Sequence, residues 1–222
     1  MARQDIVFVA DDHYGAHPGA VLAGCLRDRY HCRFFENDWT GLEHRLLAQC
    51  RLLILNLIAG TCNQPLPGPD AEQAVQAYVR SRKPVLLLHG GSAAFWHWDW
   101  WRPLVGCRWV RGDDPDGFQP SVHPKAPYRV EVAKCRHPLC RRLRGMNVPE
   151  DEIYTQLEQT LPVWQLMTTT IDDGTFVQAY EATTPYGGKV LGFLPGHRAE
   201  VVKMPVLVNN VATMIEYALT NS

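Results

Sequence analysis

Residues 83–95 read KPVLLLHGGSAAF, and this stretch contains the pattern that decides the fold. The apolar run 84–88 has the length of a short strand and lacks polar alternation, as do central strands buried on both faces of a parallel sheet. Two glycines stop the run and permit a tight turn, and Ser92 is placed to cap a following helix. Ligands of open α/β sheets bind outside the carboxyl ends of the strands. The stretch therefore predicts a binding site with His89 on its floor.

The segments on either side alternate between apolar strand patterns and helical patterns. Before this stretch, strands are predicted at 5–10, 30–35 and 51–57, each followed by a predicted helix. Short strand–helix periods produce right-handed βαβ crossovers, and hence a parallel sheet with helices on both faces. After it, strands are predicted at 128–133, 163–170, 176–183 and 190–194, and a helix at 204–219. No repeat or linker divides the chain, so we predict one domain over residues 1–222.

The composition is that of an ordinary globular protein and excludes several classes of function. Hydrophobic residues make up 46% of the 222 residues, and the net charge of −1 offers no electrostatic reason to bind nucleic acid. No apolar segment reaches the roughly 20 residues that span a bilayer. The first residues, MARQDIVFVADD, lack the apolar core and cleavage site of a signal peptide. We expect a cytoplasmic protein with no nucleic-acid or membrane partner.

The cysteines follow no metal-binding pattern. There are seven, an odd number, and none are spaced as CxxC. In a chain without a secretion signal, we expect reduced thiols. Cys135 and Cys140 flank His137, but a C-x4-C spacing with one histidine matches no common zinc site. A structural zinc ion is therefore not predicted.

Histidines follow two of the predicted strands. His89 comes directly after the strand 84–88, and His197 follows the strand and glycine in VLGFLPG. Each has two interpretations: a histidine hydrogen-bonded within the structure, or a group that moves protons, binds a ligand or holds a metal. Because two strands deliver a histidine in the same way, a shared cleft is favoured. His13 and His17, after the first strand, either complete that cleft or are solvated turn residues.

Two further groups each have two interpretations. Asp151 and Glu152 are acidic neighbours, and spacing alone makes them a solvated helix start, where carboxylates favour the helix dipole. The aromatic cluster FWHWDWW at 95–101 either packs in a core or interface, or stacks on a sugar. Its helix-like placement favours packing, with a ring such as Trp96 lining the cleft. This cluster and the apolar last helix suggest a homodimer.

No nucleophile occupies the turn after strand 84–88. A strand that runs into a tight turn and a helix resembles a nucleophile elbow. The residue at its apex is His89, however, and no serine or cysteine stands in a G-x-S-x-G or G-x-C-x-G frame. A hydrolase that uses Cys62 or Ser92 is the weakest alternative. Glycine patterns of nucleotide-binding loops are also missing, so no nucleotide cofactor is predicted.

Four ordered segments resemble the ThuA-like (trehalose-utilisation) family, within the class I glutamine amidotransferase-like superfamily. They are PVLLLHGG at 84–91, HPL at 137–139, DEIY at 151–154 and PYGGKVLGFLPGH at 185–197. The resemblance implies a flavodoxin-like three-layer α/β/α sandwich with a mostly parallel central sheet, and a role in carbohydrate metabolism. The amidotransferases carry a catalytic cysteine at the apex, where this chain has His89. The resemblance therefore implies their fold without their glutaminase activity.

The same resemblance implies a set of site residues. The catalytic candidates are His89, His197, Asp151 and Glu152. The substrate-binding candidates are His137 and Tyr154, together with Gly90, Trp96 and His13, which lie beside the predicted cleft. The N-terminal part of the chain, including His13 and His17, has no family signature.

We therefore expect a protein that binds and processes a sugar or keto-sugar with histidine and carboxylate acid–base groups. Removal of a proton next to a carbonyl suits an imidazole, whose pKa lies near working pH. The expected partner is a small-molecule carbohydrate. No cofactor is predicted with certainty, although some of these histidines and carboxylates are able to hold a divalent metal. The alternative is a non-catalytic sugar-binding or regulatory module on a degenerate amidotransferase fold.

Overall fold

The structure, a computed structural model, describes residues 6–61 and 64–220, and a nine-stranded sheet forms their centre. In chain order the strands are β1 (Ile6–Ala10), β2 (Cys32–Glu36), β3 (Leu52–Asn56), β4 (Val85–Leu88), β5 (Cys107–Arg108), β6 (Lys125–Val132), β7 (Met146–Glu152), β8 (Glu158–Gln159), β9 (Val163–Ile171), β10 (Gly174–Thr183) and β11 (Lys189–Phe193). The short strands β5 and β8 pair only with each other.

The large sheet has a parallel part and an antiparallel part. Its strand order is β2-β1-β3-β4-β11-β10-β9-β6-β7. The first five strands in this order run parallel, and each later strand is antiparallel to its neighbour. The predicted α/β class with a largely parallel sheet is therefore confirmed, and the antiparallel extension carries the less regular second half of the chain.

Helices cover both faces of the parallel part. They are α1 (Pro18–Leu26), α2 (His44–Gln49), α3 (Pro69–Arg80), α4 (Ala199–Val202) and α5 (Pro205–Thr220). Successive strand residues point to opposite faces. In β1, Ile6 and Phe8 share a buried cluster with α1, α4 and α5, whereas Val7 and Val9 share one with α2 and α3. This division confirms the predicted three-layer α/β/α sandwich.

Helix α3 shows how local sequence produces these elements. Proline occupies its first turn, where a missing N–H costs nothing, and Asp70 and Glu72 favour the positive end of the dipole. The Tyr78 hydroxyl accepts a hydrogen bond from the Leu53 amide at 2.9 Å and donates one to the Pro84 carbonyl at 2.7 Å. These bonds tie α3 to β3 and to the residue before β4.

The predicted helix after β4 is wrong. Residues His89–Ala93 form a single 3-10 turn, and the Ser92 hydroxyl donates to the His89 carbonyl at 3.1 Å instead of capping a helix. The turn is tight because it lies directly on β3. A Cβ at Gly91 would come within 2.4 Å of the Leu55 carbonyl oxygen, so only glycine fits there.

The aromatic cluster packs within the chain, as expected, although it lies in turns instead of a helix. Phe95, Trp98 and Trp101 are buried, and the rings of Phe95 and Trp98 stack 4.1 Å apart. The apolar stripe of α5 is also buried, in the cluster that includes α1. Both features that suggested a homodimer are therefore covered by this chain's own residues.

The expectation of reduced thiols is wrong for one pair. Cys135 and Cys140 form a disulfide across the 3-10 turn Pro138–Arg141, with Cα atoms 6.4 Å apart. The other cysteines that the structure describes, Cys25, Cys32, Cys50 and Cys107, are free. Among the described residues, no helix is long and apolar enough to cross a membrane.

Candidate functional site

Three loops bring three histidines together at the carboxyl ends of parallel strands. His13 follows β1, His89 follows β4 and His197 follows β11. Their ring centroids are separated by 5.1 Å (His13–His89), 4.9 Å (His13–His197) and 5.3 Å (His89–His197). The shared cleft that the sequence predicted for His89 and His197 is present, and His13 completes it.

The backbone at two of these positions is unusual. His13 and His89 have φ angles of 48° and 43°, in the left-handed region that histidine, asparagine and aspartate tolerate better than most residues. Gly90 leaves room for the His13 ring, because a Cβ on Gly90 would lie 3.2 Å from a ring carbon of His13. Gly90 thus contributes to the cleft by leaving space for the His13 ring.

The chain fixes the orientation of the His89 ring. Its Nδ1 lies 2.8 Å from the Leu194 carbonyl oxygen, which only accepts hydrogen bonds. Nδ1 therefore carries a proton and donates, and in the neutral ring Nε2 presents a lone pair. The buried Tyr154 hydroxyl lies 3.1 Å from Nε2 and is placed to donate to it.

A buried carboxylate supports His13. Asp11 is completely buried, and it accepts hydrogen bonds from the His13 amide at 3.1 Å and the Ile58 amide at 2.7 Å. Its Oδ1 also lies 3.6 Å from Nδ1 of His13. Asp11 therefore holds the loop and faces the inner nitrogen of the ring.

Glu152 is the carboxylate that the histidines share. Its Oε2 is 3.5 Å from Nε2 of His89 and 3.5 Å from Nδ1 of His197. Its Oε1 is 3.2 Å from Nδ1 of His123 and 3.4 Å from Nζ of Lys125. Burial alone would raise the pKa of Glu152, but the contacts with His89, His197 and His123 together outweigh it and lower the pKa to about 2. Glu152 is therefore ionised at neutral pH.

His197 is neutral under the same conditions. Burial, followed by the proximity of His89, lowers its pKa to about 4. Its Nδ1 is buried without a hydrogen-bond partner and faces the Glu152 carboxylate. A ring nitrogen of His197 is thus available to a proton or a ligand.

Asp151 positions the loop that carries His197. Its carboxylate accepts hydrogen bonds from the amides of Gly196, His197 and Arg198, each at 3.2 Å. Burial raises the pKa of Asp151 even though amide donors oppose this shift. The spacing-based interpretation of Asp151 and Glu152 as a solvated helix start is wrong. They end strand β7 and are buried, because β7 pairs with β6 and brings them below the loops.

A cavity of about 200 Å³ opens above these groups. We call it the histidine pocket, and His13, Glu152, Tyr154 and His197 line it, with His89 beneath. Six lining residues were not predicted: Tyr14, Ile58, Ala93, Trp109, Arg111 and His123. Trp109 packs on Tyr154, with ring centroids 4.4 Å apart. The sequence signal for these residues was weak: Trp109 and His123 stand on either side of a Gly/Asp/Pro loop.

His137 does not reach this pocket. Its Nε2 lies 3.3 Å from Oε2 of Glu181, and Glu181 also contacts Lys189. Lys189 is the first residue of β11, whereas His197 follows the last one, so the two histidines lie toward opposite ends of that strand. His137, predicted to bind substrate, thus has internal partners and lies away from the histidine pocket.

Trp96 and His17 also lie outside the pocket lining. The Trp96 indole donates to the Ala59 carbonyl at 3.0 Å, and its ring supports the guanidinium of Arg111, 4.3 Å away. Trp96 therefore acts on the pocket only through Arg111. His17 pairs with Glu36 at 2.9 Å and is half exposed.

The structure describes one of the two alternative nucleophiles, Ser92. Ser92 is buried with its hydroxyl bonded to the chain. Cys62 lies outside the described residues.

The family model for ThuA, described as trehalose utilisation, matches residues 9–218. The chain belongs to the ThuA family. No curated protein matches it.

Solved structures show which fold this ThuA-family chain shares. A ThuA-like protein from Parabacteroides merdae is 14% identical with a TM-score of 0.77, and the match covers 98% of this chain and 90% of that one. One from Bacteroides uniformis is 13% identical with a TM-score of 0.71, covering 98% and 92%. A glutamine amidotransferase from Thermotoga maritima is 12% identical with a TM-score of 0.57, covering 97% and 98%. At these identities the likeness shows the fold alone, and it confirms the predicted amidotransferase-like architecture.

Proposed function

We propose that this ThuA-family protein binds a sugar or keto-sugar in the histidine pocket and processes it with histidine and carboxylate groups. The observation that carries the proposal is the convergence of His13, His89, His197 and Glu152 at the carboxyl ends of the parallel strands. This is the location where open α/β sheets bind their ligands.

The size and lining of the pocket support a ligand of about one sugar ring. Its volume of about 200 Å³ is below the roughly 300–1,000 Å³ of sites for drug-sized ligands. Trp109 offers an aromatic surface on which a sugar face can pack. Arg111 and His123 offer donors for hydroxyl or carbonyl oxygens. The trehalose-utilisation description of the family agrees with such a substrate.

The ionisation states suit a reaction at a carbon next to a carbonyl. Removal of that proton needs a group that accepts it and another that stabilises negative charge on the oxygen. The His197 ring has an unprotonated nitrogen at neutral pH, since the pKa of His197 is lowered to about 4. The pocket also has the ionised Glu152, which balances positive charge formed nearby.

A glutaminase reaction is not part of the proposal. The residue at the turn after β4 is His89, and the nearby Ser92 hydroxyl is directed at the His89 carbonyl. The same observation supports the second candidate, a sugar-binding or regulatory module that has no nucleophile. A cytoplasmic location and a homodimer stay predictions from the sequence.

The test is turnover and binding of trehalose and 3-keto sugars by purified protein. We expect turnover that falls about 10²- to 10⁴-fold in His89→Asn and in His197→Ala, the range that acid–base groups contribute. His17→Asn is the matched control, because His17 lies outside the pocket and has the same left-handed backbone as His89. Sugar binding without turnover would favour the regulatory module. If neither occurs, or if the folded pocket variants behave like the control, the proposal is wrong.

A further inference from the structure

We infer that His13, His89 and His197 together form a binding site for one divalent transition-metal ion of the zinc type. One potential ligand atom from each residue lies within 4.8 Å of the other two. Around a tetrahedral metal with Zn–N bonds of about 2.0–2.1 Å, ligand nitrogens stand about 3.3 Å apart. Rotation of the side chains would have to bring the nitrogens to this spacing.

The second nitrogen of each ring already faces a group of the kind that orients metal-binding histidines. Such histidines almost always direct their other ring nitrogen at a carbonyl or carboxylate. His89 Nδ1 lies 2.8 Å from the Leu194 carbonyl, His13 Nδ1 lies 3.6 Å from Asp11, and His197 Nδ1 lies 3.5 Å from Glu152. This pattern leaves Nε2 of His13, Nε2 of His89 and one ring nitrogen of His197 as ligands.

The histidines do not satisfy one another. Within residues 6–61 and 64–220, no hydrogen bond joins any two of the three rings. Nδ1 of His197 is buried without a hydrogen-bond partner, and such an unpaired polar group carries a desolvation cost of about 1–3 kcal/mol. A cation held by the three imidazoles gives the His197 ring a partner, whereas a hydrogen-bonded core cluster would have paired the rings.

Glu152 completes the electrostatics of the site. It is buried, with its carboxylate oxygens 3.5 Å from His89 and His197, 3.2 Å from His123 and 3.4 Å from Lys125. A carboxylate beside the imidazoles compensates part of the charge of a divalent ion. The Tyr154 hydroxyl, 3.1 Å from Nε2 of His89, would turn from that nitrogen to a metal-bound oxygen.

The ligand types indicate the metal class. Three imidazoles without a thiolate suit Zn²⁺, Co²⁺, Ni²⁺ or Fe²⁺ more than Cu⁺, Ca²⁺ or Mg²⁺. Three protein ligands and a fourth position open to a cavity are typical of catalytic zinc sites. The fourth position faces the histidine pocket, where water or a sugar oxygen would bind.

The metal site is inferred from geometry alone. Its use in a sugar reaction rests on the proposed function. A bound metal would polarise the carbonyl oxygen of a keto-sugar. Since the three imidazoles would then be ligands, Glu152 or His123 is left to accept the proton from the neighbouring carbon.

In the experiment, a chelator first removes metal from the whole protein. The metal-free protein is then titrated with Co²⁺, whose visible absorption reports tetrahedral coordination. Zn²⁺ is then added to displace it. We expect the protein to bind one equivalent of Co²⁺. The affinity for Co²⁺ should be weaker by about 100-fold or more in His13→Asn, His89→Asn and His197→Ala, because the loss of even a residue that only orients a ligand lowers metal affinity about 10- to 100-fold. Asparagine is chosen at positions 13 and 89 because it tolerates their left-handed backbone.

His17→Asn serves as the control, since position 17 has the same left-handed backbone, and it should bind Co²⁺ like the unchanged protein. Circular dichroism checks that every variant is folded. The inference is overturned if the stripped protein binds no stoichiometric metal, or if folded ligand variants bind as tightly as His17→Asn. Metal binding without turnover or binding of any sugar would support the site and contradict the proposed function. Sugar turnover by a protein that binds no metal would support the proposed function and contradict the metal site.

Discussion

Two clusters of the same residue types lie at opposite ends of the parallel sheet. The histidine pocket combines imidazoles with Glu152, Tyr154 and Lys125. The second cluster, which we call the His137 cluster, combines His137 with Glu181, Tyr217 and Lys189. The residue types are therefore the same in the two places.

The clusters differ in what their nitrogen atoms face. In the His137 cluster, Nδ1 accepts a hydrogen bond from the Leu139 amide at 3.2 Å, and Nε2 lies 3.3 Å from Glu181. Lys189 neutralises Glu181 at 3.1 Å and donates to Tyr217 at 2.7 Å. Both ring nitrogens of His137 and the Lys189 ammonium therefore have internal partners. In the histidine pocket, three rings from three loops face each other beside a cavity, and Nδ1 of His197 has no hydrogen-bond partner. This cluster is therefore the one with capacity for a ligand.

The largest expected effect separates the clusters by turnover. We expect His89→Asn to lower kcat/KM for a processed sugar by about 10²- to 10⁴-fold, because an imidazole at the reacting centre is lost. His137→Asn should leave kcat/KM unchanged, since asparagine keeps the acceptor for the Leu139 amide and lies outside the pocket. Equal losses in both variants would contradict the distinction between the clusters.

The next effect concerns the support of His197. Asp151→Ala leaves the amides of Gly196, His197 and Arg198 without their acceptor. We expect the free energy of unfolding to fall by about 3 kcal/mol, measured by urea denaturation. Co²⁺ affinity should fall as well, because His197 is displaced.

Asp151→Asn keeps one carbonyl oxygen and should restore part of both losses. A variant that loses stability but keeps full Co²⁺ affinity would show that Asp151 does not position His197.

A smaller effect is expected in the His137 cluster. Lys189→Met removes the cation that pairs with Glu181, whose side chain is only 7% exposed. Because a buried carboxylate without its partner is costly and Lys189 is itself partly exposed, we expect a loss of about 2 kcal/mol. Thermal or urea unfolding measures it. Turnover and Co²⁺ binding by the folded fraction should not change.

The smallest effect is a pH dependence of stability. Burial lowers the pKa of His137 even though Glu181 opposes the shift. Below the ordinary histidine pKa of about 6.5, the unfolded chain binds a proton that the folded chain resists. Stability should therefore decline as pH falls through that value and toward the folded pKa. Urea unfolding at pH 7.5 and 5.5 should show a smaller decline in His137→Asn. An identical decline would place the pH dependence elsewhere.

The comparison also shows why some site residues were predictable. His89 and His197 each follow an apolar run that can only be a buried strand, and the carboxyl ends of such strands meet at one edge. Ser92 was misassigned because its helix-capping pattern is local, whereas contact with Leu55 decides the turn. His123, Trp109 and Arg111 stand in irregular segments without periodicity, and the loop between Trp109 and His123 is too weak a signal to associate them with the pocket.

The sequence by itself determined the layers, the parallel strands and the ThuA family. Hydrophobic periodicity and strand-end glycines are local properties, and they determine which elements form and which ends meet. Only the tertiary structure decided that His13 lines the histidine pocket and His137 does not. It also decided that Asp151 supports a loop while Glu152 faces the histidines. These outcomes depend on hydrogen bonds and ion pairs between residues that are far apart in sequence. Residue spacing along the chain does not determine such contacts.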